Sequence, residues 1–216
     1  MGVKRYDRRA KTLAAGLSAL AGFVDATGFI SLGGFFVSFM SGNTTRMAVG
    51  IAAGTRSAAI AGGLIALFVL GVILGTLTGR FTPWHRAASV LMLVAVLLGL
   101  AALCGGAGFL PGAAMAMALA MGAENAVFER DGEVHIGLTY MTGTLVKLGQ
   151  HLAAALTGGP PLGWTPYLLL WLGLASGAVL GAVVYPMLGL AALWLAAAAA
   201  CAFAFAAARM GDFTRP

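Results

Sequence analysis

Apolar residues run along this chain in long stretches, with neither strict alternation nor narrow helical stripes. The stretches are 13–30, 35–53, 58–79, 87–110, 113–128, 136–156, 166–185 and 188–208. Breaks between them are clearest at Thr82-Pro83-Trp84, Gly158-Gly159-Pro160-Pro161 and Tyr185-Pro186. A helix needs about 20 apolar residues to cross the hydrocarbon core of a bilayer. The third, fourth, seventh and eighth stretches meet that length with no charge inside. The first and fifth are shorter, and each carries an acid, Asp25 or Glu124. The second and sixth each carry a base, Arg46 or Lys147, within a run of small polar residues. Strands are not expected, because the runs are long, rich in Ala, Leu and Gly, and lack period-two alternation. The pattern predicts an all-α polytopic membrane protein.

Composition sharpens this. Hydrophobic residues make up 60% of the chain and charged ones 9%, against about a quarter charged in a soluble domain. Mean hydropathy is +0.94. So few charges cannot cover a globule with wetted surface. A soluble enzyme, a nucleic-acid binder and a disordered chain are excluded, and the lipid bilayer is the expected solvent. The pI near 9.9 reflects a cluster, Lys4, Arg5, Arg8, Arg9 and Lys11, directly before the first apolar run. That is the positive-inside signal of a cytoplasmic N-terminus. The rival reading is a cleaved signal peptide, with apolar residues 13–24 behind a basic start. A leader would have no reason to match a later part of the chain, as this region does. Cys104 and Cys201 lie in apolar stretches and read as small core residues, with no zinc spacing.

The chain is similar to itself. LAGFVDA at 20–26 falls on AMGAENA at 120–126, pairing Gly22 with Gly122 and Asp25 with Asn125. FMSGNTTRMA at 39–48 falls on YMTGTLVKLG at 140–149, pairing Ser41 with Thr142, Gly42 with Gly143 and Arg46 with Lys147. GVILG from Gly71 falls on GAVLG from Gly177. The offsets are 100, 101 and 106, so the order is kept. The reading is one membrane domain with a basic cytoplasmic N-terminus at 1–12, repeats at 13–110 and 111–209, and a cytoplasmic tail at 210–216. If all eight stretches span, the repeats are parallel and Arg80, His85 and Arg86 lie outside. If the second and sixth do not fully span, about six spanning helices and two broken or re-entrant elements remain. The repeats are then inverted, and Arg80, His85, Arg86, Arg130, Arg209 and Arg215 fall inside, with only Arg56 outside. The charge rule prefers the inverted arrangement.

Four charges inside apolar segments are the candidate chemistry: Asp25, Arg46, Glu124 and Lys147. Each costs at least about 2.5–3.5 kcal/mol at a helix centre, so each is expected to face protein or a watery cavity. The repeat lets the four meet near the bilayer midplane. Gly42 and Gly143 let the backbone leave the helix, and a helix restarting there aims free N–H groups into a cavity. Arg46 and Lys147 would hold the charge of an anionic or zwitterionic solute. Ser41, Asn43, Thr44, Thr142 and Thr144 would supply hydrogen bonds. Asp25 and Glu124, with Asn125 beside the latter, would be proton carriers or ion-pair partners. The bland alternative makes the acids neutralise the bases as buried pairs that fix helix register, and makes the polar residues interhelical glue. Small-xxx-small pairs such as Gly71/Gly75 and Gly177/Gly181 read as helix packing. No cofactor and no metal site are expected: His135 and His151 lack metal spacing, and His85 reads as interfacial. Glu129, Arg130, Asp131 and Glu133 read as a solvated charged loop. Trp84, Trp164, Tyr167 and Tyr185 lie at stretch ends as interfacial anchors. No hydrolase elbow or phosphate loop occurs, so an enzyme is not expected.

The run AGFVDATGFISLGGFFVSFMSGNTTRMAVG at 21–50 resembles the YoaK-like family of bacterial inner-membrane proteins. Gly22, Asp25, Ala26, Phe29, Phe36, Met40, Gly42 and Asn43 carry the likeness, and YMTGTLVKLG resembles the family's later signature. The likeness extends over about residues 11 to 209. It implies a polytopic protein of the bacterial inner membrane and names no chemistry. Arg46 departs from the apolar residue associated with many members at that position. The expected function is a small-solute transporter or channel, with proton coupling and a homodimer both open. The alternative is a non-transporting assembly or scaffold protein.

Overall fold

The computed structural model describes residues 8–130, 133–134 and 136–210. The expectations for Lys4, Arg5, Asp131, His135 and Arg215 lie outside these residues. Eight α-helices are present among them: α1 (Arg8–Ser31), α2 (Met40–Ala52), α3 (Ser57–Phe81), α4 (Arg86–Gly106), α5 (Leu110–Glu124), α6 (Met141–Leu156), α7 (Thr165–Leu188) and α8 (Leu193–Met210). Short 3₁₀ turns cover Pro83–His85, Asn125–Phe128 and Gly189–Ala192. Four segments are long and apolar enough to cross a membrane: Arg9–Ser31, Ser57–Phe81, Pro83–Gly106 and Thr165–Met210, the last containing both α7 and α8. The chain is an all-helical, multi-pass membrane protein.

Two expectations are corrected, and one local feature is added: Glu129–Arg130 and Glu133–Val134, in the charged loop between the apolar runs, pair as a two-residue antiparallel hairpin. Glu129 is not solvated; it is buried and forms an ion pair with Arg86, the first residue of α4. The break at Tyr185-Pro186 does not end α7, which runs to Leu188 and stops at Gly189, φ 56°. Pro186 lies in the last turn of α7, and Gly189 takes the left-handed conformation at no steric cost.

Long side chains do not space the main helix pairs; glycines bring them together. α1 packs on α7 and α3 on α5. A Cβ on Gly177 would strike the Ala19 carbonyl, and one on Gly181 the Phe23 carbonyl. A Cβ on Gly71 would strike the Leu119 carbonyl, and one on Gly75 the Ala123 carbonyl. From the other side, Gly22 meets Leu174 and Ala178, and Gly122 meets Phe68 and Val72. These registers run α1 parallel to α7 and α3 parallel to α5, with backbones close enough that no side chain fits between. α4 is the central helix. It buries Val90, Leu91, Val94, Leu98 and Ala101 and packs on α8 through the small stripe Ala196, Ala200 and Ala204. Gly105 lies on Leu190 and Gly99 on Trp194, so α4 and α8 are antiparallel.

Candidate functional site

α2 has 13 residues and α6 has 16, about 20 and 24 Å at 1.5 Å per residue. Neither reaches across a hydrocarbon core of about 30 Å; α5, with 15 residues, does not reach across by itself either, and is continued by the 3₁₀ turn Asn125–Phe128. Each is preceded by non-helical chain, at 35–39 and 136–140. Backbone of this kind must have its N–H and C=O groups satisfied by protein wherever water is absent.

In the first half, Gly33 and Gly34 take φ of 63° and 96° and reverse the chain after α1. The returning segment is fastened to Asp25. The Val37 and Ser38 amides both donate to Asp25 Oδ1 at 2.8 Å. Asn43, fully buried, holds the same segment from the other side: its Oδ1 accepts the Phe36 amide at 3.1 Å and its Nδ2 donates to the Phe36 carbonyl at 2.6 Å. One carboxylate and one amide thus stand in for the missing helical partners.

The second half repeats the device with different groups. Asn125 opens the 3₁₀ turn after α5. Its Nδ2 donates to the Met121 carbonyl at 2.9 Å and its Oδ1 accepts the Thr139 hydroxyl at 3.1 Å. Ser18 of α1 donates to the Leu138 carbonyl at 3.3 Å. In the register of the repeat, Asn125 matches Asp25 and Thr139 matches Ser38.

The four intramembrane charges do not converge. Among the described residues the ion pair found is Arg86–Glu129, and none joins Asp25 or Glu124 to Arg46 or Lys147. Arg46 lies over the Phe35 ring, 5.1 Å from its centroid, with its guanidinium against Gly34. Lys147 is exposed on α6. The physical reason is packing: α2 lies on α3 and α6 on α7, and α2 and α6 make no substantial contact with one another. Ser41, Thr44 and Thr142 are exposed. Thr44 and Thr144 bond the Met40 and Tyr140 carbonyls of their own helices, at 2.9 and 3.2 Å. Asn43 and Asn125 are therefore the polar residues at the junctions, together with Ser18, Ser38 and Thr139, which the sequence reading did not single out. Ser38 and Thr139 match in the repeat, a signal that could have found them.

Glu124 is the exception to all this pairing. Its side chain is fully buried, and neither carboxyl oxygen has a hydrogen-bond partner among the described residues. Tyr167 is also displaced from expectation: it is buried and stacks on His151 at 5.0 Å, joining α6 to α7. A groove of about 430 Å³ lies beside Asp25, lined by Phe29, Phe36, Leu174, Ala178 and Ala182. Neither Arg46 nor Lys147 borders it.

A family model described as a protein of unknown function, DUF1275, matches residues 13–206. The chain is 39% identical over 193 residues to a UPF0700 transmembrane protein, RA0705, of Rhizobium meliloti (strain 1021), covering 87% of this chain and 81% of that one. No solved structure matches. Both matches agree with the likeness to the YoaK-like family drawn from residues 21–50. With transmembrane helices, a family model over nearly its whole length and a transmembrane relative, the chain belongs to the DUF1275 family of membrane proteins.

Proposed function

We propose that the protein is a small-solute transporter of the bacterial inner membrane, built from two inverted repeats of three spans and one re-entrant half-helix each. The observation that carries this is the pair of clasped, non-helical lead-ins at Asp25 and Asn125, each feeding a half-length helix in corresponding places of the two repeats. Paired discontinuous segments of this kind, in repeats of opposite direction, are the signature of alternating-access carriers. The helix directions support the inversion: α1 parallel to α7, α3 parallel to α5, and α4 antiparallel to α8 set α1 against α5. Matched glycines lie at both crossings. The N-terminus is cytoplasmic in this reading, with Arg9, Arg80, Arg86 and Arg209 at the same face.

In this arrangement the two half-helices enter from opposite faces. Arg46 then stands in the outer half of the bilayer and Lys147 in the inner half, one cation near each mouth, favouring an anionic or zwitterionic solute. Purified protein in liposomes should move a labelled small anion or amino acid, and Arg46→Ala should slow entry from the outer face more than from the inner. Equal slowing from both faces removes the two-mouth assignment; absence of flux for acids, amino acids and amines alike removes the transport reading.

One observation favours the scaffold reading. The groove beside Asp25 presents mostly apolar surface, as does a second of about 520 Å³ bordered by Leu32, Ile60, Leu64 and Pro111. A protein that only organises partners would keep its clasps and move nothing.

A further inference from the structure

We propose that Glu124 is a proton-binding site of the transport cycle, and that its occupancy controls the clasp on the second re-entrant element. This rests on the transport reading above. Its proton comes from water at one face and returns to water at the other when the element undocks.

Three observations lead here. First, Glu124 is fully enclosed, and neither of its oxygens has a hydrogen-bond partner among the described residues. A carboxyl that serves the fold is bonded, as the half-buried Asp25 is to the Val37 and Ser38 amides. Second, the matching residue of the first repeat is Val24, also fully buried. The same place in the same packing is filled by an apolar side chain, so packing alone does not call for an acid. Third, the next residue is Asn125, which holds Thr139 and with it the lead-in to α6. A change in the charge of Glu124 acts one residue from that hydrogen bond.

Among the side chains the structure describes, none forms an ion pair with Glu124. The elements packed on α5 and its 3₁₀ turn are α3, α4, α1 and the hairpin. Their ionisable groups are Arg80 on α3, Arg86 on α4, Arg9, Lys11 and Asp25 on α1, and Glu129, Arg130 and Glu133 in the hairpin. Arg80 and Arg9 are exposed. Arg86 is engaged with Glu129, and Asp25 with its two amides. A proton is the smallest cation that can neutralise such a group.

The test uses the full chain in lipid nanodiscs and a hydrophobic carbodiimide, which converts a protonated carboxyl to an N-acylurea that peptide mass spectrometry locates. Glu124 should be modified, about tenfold more slowly one pH unit above its midpoint than one unit below. Asp25 should stay unmodified, and Glu124→Gln should give no adduct. No adduct at any pH, a rate independent of pH, or modification of Asp25 in its place overturns the proposal. If Glu124→Gln fails to fold, Glu124→Val, which copies Val24, decides: failure of both makes Glu124 a structural group and also overturns it. A pH-sensitive adduct without flux of any solute would sink the transport reading and leave the proton site standing. Flux without an adduct would sink the proton site alone.

Discussion

The two lead-in segments solve one problem with different chemistry. In the first, Asp25 gives one charged oxygen to two backbone amides. In the second, Asn125 gives a neutral oxygen to one hydroxyl. Charge-assisted hydrogen bonds are about twice as strong as neutral ones, so the first element is held more firmly. The second carries the unbonded acid beside its clasp, where the first carries Val24. The difference teaches that matched segments can keep one geometry while the carboxyl moves, from the clasp itself at Asp25 to the unbonded neighbour of the clasp at Glu124.

The comparison breaks most severely at the helix crossings. Gly177→Leu and Gly71→Leu each drive a side chain into a facing carbonyl, at a cost of about 3 kcal/mol or more. Both should abolish folded protein on size-exclusion chromatography; survival of one alone would show that the two crossings do not bear equal weight. Next comes exchange across the repeat. Val24→Glu should destabilise by about 2.5–3.5 kcal/mol, the cost of an acid at a helix centre. Glu124→Val should stabilise by a similar amount, read as a higher melting temperature, and destabilisation there would make Glu124 part of the scaffold. The clasps follow. Asp25→Ala strands two amides bonded to a carboxyl, at about 1–3 kcal/mol each, whereas Asn125→Ala removes two neutral bonds, to the Thr139 hydroxyl and the Met121 carbonyl, at about 1 kcal/mol each. Equal losses would erase the claimed stiffness difference. Smallest is Lys147→Ala, whose exposed side chain should change stability by no more than about 0.5 kcal/mol and be felt only in flux.

Much of this was written in the chain. The apolar stretches placed the helices, but α2, α6 and α8 begin five residues inside theirs, and α2 and α6 run unbroken through Gly42 and Gly143, where the backbone was expected to leave the helix. Gly22, Gly71, Gly122 and Gly177, matched in sequence, are the close contacts at the crossings. Asp25 and Asn43 were singled out from sequence and do meet at one segment, though as partners of backbone rather than of a solute. Ser18 was not legible. Its bond to Leu138 joins residues 120 positions apart, and no local pattern reports a contact of that range.

What the sequence determined by itself is the solvent and the order of its matched motifs. Too few charges exist to wet the surface, and matched motifs recur in one order regardless of how the chain folds. What only the tertiary structure decided is which polar groups find each other. Arg46 and Lys147 are paired in the repeat and unpaired in space, because each half-helix packs on the long helix that follows it. Hydrogen bonding at membrane depth is a matter of which backbone is left open, and that is known only once the helices have ended.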